Sequence, residues 1–308
     1  MIVAVVLLTL LALFFIVMYG FYFFAFCHPK RKRPQARVIP SSSIYNDYRD
    51  ILLAWIEDME STPSKLVQTK SYDGKNLFAH LYIFSPDAPL VIFSHGYHGI
   101  YCKDGYGMYR VCKKQGYNIL MMDARAHGES TGDITFGIKE RHDFKTWVDY
   151  SIKLFGPDVK IILGGVSMGA ASMMMSTTLN LPDNVKGLVE DCGYSEPEAI
   201  IKKNILDMHL PLKPFYGIVR LSAKIFGGFD LEETSALEAV SKLQIPILFI
   251  HGDQDNIVPP QMCKELYEHC SSKKRMVAFA LAGHANNALS DFDLYEKEVI
   301  QFIQESLN

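Results

Sequence analysis

The segment Gly165-Val166-Ser167-Met168-Gly169 restricts the fold of this chain more than any other part of its sequence. A β-branched run precedes it and a stretch of Ala, Ser and Met follows, which predicts a strand that turns sharply into a helix. In such a turn the serine has a strained backbone, so the residues two before and two after it must be very small. Gly165 and Gly169 meet this requirement, and the turn would raise the Ser167 hydroxyl above the edge of a sheet.

The chain around this turn alternates apolar strand-like runs with helical patterns, which predicts an α/β fold. The predicted strands are 90–94, 118–122, 159–163, 185–189, 245–250 and 276–280, and the predicted helices include 50–59, 139–155, 260–270 and 292–303. Residues 65–84 alternate around Asp73-Gly74, as expected of a hairpin. Strands that alternate with helices indicate a mostly parallel sheet with helices on both faces.

The interval 192–244 breaks this rhythm because it contains helical and aromatic patterns but no strand. We expect it to form a helical cap above the carboxyl ends of the strands, inside a single domain that covers 50–308. Its aromatic residues are Tyr194, Phe215, Tyr216, Phe226 and Phe229. Two roles stay open for them, since they could line an apolar acyl pocket or pack the cap onto the sheet.

The N-terminal run Ile2–Phe26 is apolar and carries no charge, and it is long enough to cross a bilayer as a helix. A cleaved signal peptide is the alternative, but the run lacks a basic start and an A-x-A site. Basic residues follow it, at Lys30, Arg31, Lys32, Arg33 and Arg37, in a flank and linker over 27–49. The positive-inside rule then predicts a single-pass membrane protein whose remaining domain is cytoplasmic.

Composition adds two constraints. The net charge of −3 gives no basic excess that would indicate a nucleic-acid partner. The six cysteines are scattered without a CxxC pair, and a domain this long buries its own core, so we interpret them as free thiols.

Two further positions complete the chemistry that Ser167 would need. A serine hydroxyl is a poor nucleophile without a base, and the base needs a carboxylate to orient it. His284 follows the last predicted strand, and the strand before it ends in a turn with Asp253 and Asp255. In folds built around this kind of turn, the order along the chain is serine, acid, histidine, so we assign His284 as base and Asp255 as acid. Asp253 lies closer to the strand and is expected to cap the turn.

A glycine-containing turn after the first predicted parallel strand, Ser94-His95-Gly96-Tyr97-His98-Gly99, is expected to supply part of an oxyanion hole. We assign the backbone N–H groups of Tyr97 and Met168 as its two donors. His95, His127, His251 and His284 all follow strands, which raises the alternative of a metal hydrolase. The H-x-x-H spacing of His95 and His98 lies on a glycine loop rather than a helix face, so we predict neither a metal nor a cofactor.

With these residues, the chain resembles the α/β-hydrolase superfamily, and within it the bacterial single-span hydrolases related to the prolyl-oligopeptidase-like and serine-aminopeptidase-like groups. The matching segments are 94–96, 123–130, 165–169, 252–259 and 283–284. The resemblance covers about residues 65–305. In such families a D-x-R-G-H-G-x-S segment braces the site, and here Ala126 replaces its first glycine. The resemblance implies an α/β-hydrolase fold and a triad of Ser167, Asp255 and His284.

We therefore expect a serine hydrolase that cleaves small-molecule esters through an acyl-enzyme, with lipid-like esters favoured by the membrane helix. A peptidase that acts on small peptides and amides is the second interpretation. A non-catalytic binding protein on the same fold is the third, because this superfamily supports many functions.

Overall fold

The structure, a computed structural model, describes residues 1–30, 35–39 and 44–308, so Arg31, Lys32 and Arg33 of the predicted basic cluster lie outside it. One sheet forms its centre. Its eight strands are β1 (Lys65–Lys70), β2 (Asn76–Tyr82), β3 (Leu90–Ser94), β4 (Asn118–Asp123), β5 (Ile161–Val166), β6 (Val185–Asp191), β7 (Ile247–Gly252) and β8 (Lys274–Phe279). They lie in the order β1-β2-β4-β3-β5-β6-β7-β8, and every neighbouring pair from β4 to β8 is parallel. Among the described strands, the β1–β2 and β2–β4 pairs are antiparallel.

Helices cover both faces of the sheet. The α-helices are α1 (Ile2–Phe26), α2 (Arg49–Ser61), α3 (Tyr101–Asp104), α4 (Tyr106–Gln115), α5 (Glu140–Phe155), α6 (Met168–Ser176), α7 (Pro197–Asp207), α8 (Leu212–Ser222), α9 (Ala236–Ser241), α10 (Pro260–His269), α11 (Asn287–Ser290) and α12 (Phe292–Leu307). One hydrophobic core contains Trp147 of α5 and Met174 of α6, and the other contains Tyr109 of α4 and Ile303 of α12. A sheet buried on both faces explains why its central strands read as continuous apolar runs.

The α/β-hydrolase fold expected from the sequence is confirmed, with local differences in its boundaries. The strand predicted over 245–250 begins at Ile247. Pro246 precedes it, and a proline has no N–H to donate to a neighbouring strand. Residues 101–115, between β3 and β4, form α3 and α4 on the face opposite α5.

The interval between β6 and β7 contains α7, α8, a π-helical turn over Ala223–Gly227, and α9. Helix α1 packs against this region through its C-terminal half. Phe21 contacts Phe215, and Tyr19 and Tyr22 both contact Phe226. Helix α1 is the one described helix with the length and apolar composition needed to cross a membrane.

Candidate active site

Ser167 lies at the turn between β5 and α6, with φ 55° and ψ −117°. This conformation is strained for any residue other than glycine, and it is stable only where the surroundings enforce it. A Cβ on Gly165 would lie 2.5 Å from the carbonyl carbon of Gly169. A Cβ on Gly169 would lie 2.3 Å from the carbonyl oxygen of Ser94. Both positions therefore require glycine, because the backbones of β5, α6 and the end of β3 are in direct contact there.

The structure brings the three predicted side chains into one hydrogen-bonded chain. The Ser167 hydroxyl donates to Nε2 of His284 at 2.9 Å, and Nδ1–H of His284 donates to Oδ2 of Asp255 at 2.7 Å. These donor roles follow from the requirement that one neutral imidazole satisfies both contacts. His284 lies in the loop after β8 and Asp255 in the turn after β7, so the parallel strands deliver all three groups to the same edge of the sheet.

Asp255 is held as a carboxylate. Burial alone would raise its pKa, but hydrogen bonds from His251 and His284 keep the pKa of Asp255 well below its ordinary range. Its Oδ1 also accepts from the backbone N–H groups of Ile257 and Val258, at 2.9 and 2.8 Å. Asp255 therefore caps its own turn, and the expectation that Asp253 does so is wrong.

The loop after β3 lies directly against Ser167. A Cβ on Gly96 would lie 3.2 Å from the Cβ of Ser167, so only glycine allows this approach without a shift of the neighbour. Asp104 fixes the loop, because its Oδ2 accepts from the Gly96 N–H at 2.8 Å. No acceptor from the described part of the chain reaches the backbone N–H of Tyr97 or of Met168. These are the two amides that we predicted from the sequence as donors of the oxyanion hole.

His95 and His127 form hydrogen bonds with the backbone around this loop. Nε2 of His95 accepts from the Ala124 N–H at 3.1 Å, and Nε2 of His127 accepts from the His98 N–H at 3.0 Å. In each ring Nδ1 contacts a carbonyl oxygen at 2.9 Å, that of Gly96 or of Arg125. Both rings thus have both nitrogens in hydrogen bonds with the main chain.

Two buried groups among the described residues have the donor types of a metal site, and one of them, Cys192 with Asp255 and His284, includes two of the predicted triad residues. In the other, ligand atoms of Glu190, His251 and Cys263 all lie within 4.8 Å of one another. Nε2 of His251 also lies 2.9 Å from the Val258 carbonyl oxygen and 3.4 Å from Oδ2 of Asp255.

His251 therefore lies beside the carboxylate of Asp255 and helps to hold it in place, a role that the sequence analysis did not predict.

Arg125, in the segment 123–130, forms a buried network of ion pairs with two aspartates. Its guanidinium donates to both oxygens of Asp143 at 2.8 and 2.7 Å, and to Oδ2 of Asp73 at 2.9 Å. Ala126, where the resembling families have glycine, adopts φ 64°. The loop therefore keeps a left-handed residue at this position despite the substitution.

A cleft of about 400 Å³ opens above Ser167 and His284. Its apolar lining residues include Ile39, Ile44, Tyr97, Val166 and Ile257. Two of these belong to the segment predicted as a plain linker, which instead packs onto the domain. The Asn286 side chain donates to the Ile44 carbonyl oxygen at 2.8 Å, and the Tyr45 hydroxyl donates to Asp104 at 2.8 Å.

None of the cap aromatics that were candidates for an acyl pocket lines this cleft. Phe215, Phe226 and Phe229 contact aromatic rings of α1, and Tyr194 is buried in the core. Tyr216 donates to Glu232 at 2.8 Å. The sequence could not distinguish these roles, because it does not show where a membrane-type helix will dock.

Comparison with known proteins agrees with this architecture. A family model described as "alpha/beta hydrolase fold" matches residues 89–241, and one described as "Serine hydrolase (FSH1)" matches residues 208–285. The chain belongs to the α/β-hydrolase superfamily.

Individual relatives of this α/β hydrolase are distant. The uncharacterized protein YqkD of Bacillus subtilis is 27% identical over 190 residues, which cover 61% of this chain and 62% of that protein. The lysophosphatidylserine lipase ABHD12 of Danio rerio is 24% identical over 63% of this chain and 50% of its own length. The chain thus spans less than two thirds of the length of these curated relatives. The esterase Pf2001 of Pyrococcus furiosus has the same fold, with 23% identity, a TM-score of 0.66, and coverage of 82% of this chain and 95% of the esterase.

Proposed function

We propose that this protein hydrolyses carboxylic esters, including lipid-like esters, with Ser167, His284 and Asp255 as its catalytic triad. The observation that carries the proposal is the unbroken chain of hydrogen bonds from the Ser167 hydroxyl through His284 to Asp255. A depressed pKa at Asp255 favours the imidazolium that forms when His284 takes a proton. The strained backbone of Ser167 supports the same role, since strain of this kind occurs at nucleophile turns.

The reaction would proceed in two acyl transfers. Ser167 Oγ attacks the ester carbonyl carbon while its proton moves to His284 Nε2. The oxyanion that forms accepts hydrogen bonds from the backbone amides of Tyr97 and Met168, each worth about 3 kcal/mol in comparable sites. His284 then protonates the leaving alcohol, and an acyl-enzyme remains. A water molecule gives a proton to His284 and attacks the acyl carbon, which releases the carboxylic acid and restores the Ser167 hydroxyl.

The lining of the cleft favours an ester with an apolar acyl group. Ile39, Ile44, Val166 and Ile257 offer hydrocarbon contacts within reach of Ser167, and a volume of about 400 Å³ suits a small molecule. The relative from Danio rerio is named as a lysophosphatidylserine lipase, which is consistent with a lipid-like ester. A preference for small peptides is the alternative outcome that a substrate panel would reveal.

Helix α1 provides the setting that we propose for this activity. A 25-residue helix without charge is long enough to cross a bilayer. The basic residues after it favour a cytoplasmic location for the hydrolase domain. We expect an added protease to cleave the domain only after intact cells have been permeabilised, whereas cleavage in intact cells would reverse this orientation.

The test of the catalytic assignment is labelling by a fluorophosphonate, which reacts with activated serines. We expect the wild-type protein to label and to hydrolyse p-nitrophenyl esters, and Ser167→Ala to do neither. Ser172→Ala is the matched control, because Ser172 is a buried serine of α6, the helix that follows Ser167, and its hydroxyl bonds only to the Met168 carbonyl oxygen among the described residues. This variant should keep both properties.

Three results would change the conclusion. Labelling that persists in Ser167→Ala would mean that another serine is the nucleophile. Failure of the folded wild-type protein to label, beside a control serine hydrolase that labels, would favour a non-catalytic binding protein. Turnover of aminoacyl-anilides far above turnover of esters would make the protein a peptidase.

A further inference from the structure

The cap covers the C-terminal third of helix α1. Met18 is only 1% exposed, and Tyr22 and Phe26 are also buried, whereas the residues before Met18 have no such cover. The contacts are made by α8 and by the π-helical turn that follows it, through Phe215 and Phe226. The helix that would enter a membrane is therefore held along the side of the cap.

The uncovered part of α1 is too short to cross a bilayer alone. Residues 2–17 rise about 24 Å at about 1.5 Å each, whereas the hydrocarbon core is about 30 Å thick. The remainder of the span must come from the covered part. The outer face of that part stays apolar, because Tyr19, Phe23 and Phe24 are exposed there. A spanning α1 would therefore draw the adjoining surface of the cap to the depth of the headgroups and the first acyl carbons.

Helix α8 has the surface that such a position requires. Its core side contains Phe215, Val219 and Ser222, and these residues repeat with the helical period. A second side contains Lys213, Tyr216 and Arg220. Arg220 pairs there with Asp230 at 2.7 Å.

The third side of α8 is apolar and ranges from partly to fully exposed, and we call it the apolar stripe. It consists of Pro214, Ile218 and Leu221 of α8 and continues at Ile225 in the π-helical turn, at intervals of three or four residues. Leu221 is 43% exposed and Ile225 45% exposed. The stripe borders the core side, which holds the contacts with α1, and it points away from the charged side.

We propose that the apolar stripe of α8 inserts into the membrane leaflet that α1 enters, so that the cap is an interfacial element of the hydrolase. The inference rests on the proposed membrane span of α1 and goes beyond the assignment of the triad. Interfacial helices of this kind bury an apolar face in the boundary between headgroups and acyl chains. A hydrolase held in this way receives its ester substrate from the leaflet rather than from bulk water.

Fluorescence quenching by lipids tests the insertion directly. The full-length protein is reconstituted into nanodiscs of phosphatidylcholine with brominated acyl chains, and the signal of Trp55 and Trp147 in the parent protein is subtracted. We expect Leu221→Trp to be quenched about threefold more than Lys213→Trp, its control on the charged side of the same helix. Equal quenching of the two variants would overturn the proposal. Ile225→Trp replaces Leu221→Trp if the latter does not fold.

A pair of substrates separates this inference from the proposed activity. We expect Leu221→Glu to reduce hydrolysis of a long-chain ester dissolved in the nanodisc about fivefold, because a carboxylate resists insertion, while hydrolysis of p-nitrophenyl acetate stays unchanged. Lys213→Glu should change neither rate. An unaltered ratio of the two rates in Leu221→Glu would refute the inserted stripe, whereas inactivity of the wild-type protein on both esters would refute the proposed function.

Discussion

Two successive carboxyl groups, Glu190 and Asp191, end strand β6 beside the residues that form the site. The Gly193 N–H donates to Oε1 of Glu190 at 2.5 Å, and the Asn287 side chain donates to Oδ1 of Asp191 at 2.6 Å. Burial raises the pKa of Glu190 to about 8 and that of Asp191 to about 6. The folded protein therefore binds protons at these positions that the unfolded chain releases near pH 4.

These shifts predict how stability depends on pH. A carboxyl group whose pKa is raised by folding stabilises the native state below its unfolded pKa, and this contribution is lost as pH rises through the folded value. We expect the free energy of unfolding to decrease from pH 5 to pH 8 by up to about 1.4 kcal/mol per pH unit for Glu190. Glu190→Gln should remove that part of the slope in denaturant titrations. An identical slope in the variant would show that Glu190 is ionised throughout.

Sequence order was sufficient to nominate Ser167, Asp255 and His284, because parallel strands deliver consecutive loops to one edge of the sheet. It could not identify Asp104, which fixes the Gly96 turn from a helix eight residues later. It also chose the wrong residue to cap the turn after β7. The sequence does not show which of Asp253 and Asp255 caps the turn. The structure does, because the backbone N–H groups of Ile257 and Val258 donate to Asp255.

At the scale of elements, the side chain of Arg125 connects three parts of the fold. Arg125 follows β4, pairs with Asp143 of α5, and contacts Ser71 and Asp73 in the turn between β1 and β2. Arg125 and Asp143 are both 1% exposed as side chains. Removing one member of a buried pair leaves the other as an uncompensated charge.

Arg125→Met should therefore lower the free energy of unfolding by about 3–5 kcal/mol. Lys114→Met is the matched control, because the Lys114–Glu296 pair of 2.6 Å has its lysine in solvent, and its loss should cost at most about 1 kcal/mol. Denaturant unfolding of both variants measures the difference. Similar losses in the two variants would mean that the buried network contributes little beyond a surface pair.

Most elements could be predicted from periodicity, since strands buried on both faces and amphipathic helices differ clearly in pattern. The segment before α2 could not, because its prolines and serines are typical of a linker. Ile39 and Tyr45 nevertheless bury themselves against the domain. The described residues of this segment contact residues that are distant along the chain, such as Asn286. A local sequence pattern does not predict such contacts.

At the scale of the whole molecule, helix α1 is held to the α/β domain by hydrogen bonds as well as by the chain that connects them. The Phe26 carbonyl oxygen accepts from the Ile134 N–H at 2.8 Å, and the Tyr97 hydroxyl donates to the Ala25 carbonyl oxygen at 3.3 Å. Tyr97 belongs to the loop assigned to the oxyanion. The last turn of α1 thus contacts the loop beside Ser167, a coupling that the separate patterns of helix and domain could not predict.

The docking of α1 on the cap should control this coupling. Phe226 contacts the rings of both Tyr19 and Tyr22, so Phe226→Ala removes two aromatic contacts between α1 and the cap. We expect hydrogen exchange at the Ile134 amide, in detergent-solubilised full-length protein, to accelerate about tenfold as the end of α1 loosens. Phe292→Ala, which removes a similar ring contact with Trp55 on the far side of the sheet, should destabilise the domain but leave this local opening unchanged. If Ile134 exchanges at the wild-type rate in Phe226→Ala, the end of α1 is held by the loop contacts alone, and the cap plays no part in holding α1 beside the Ser167 loop.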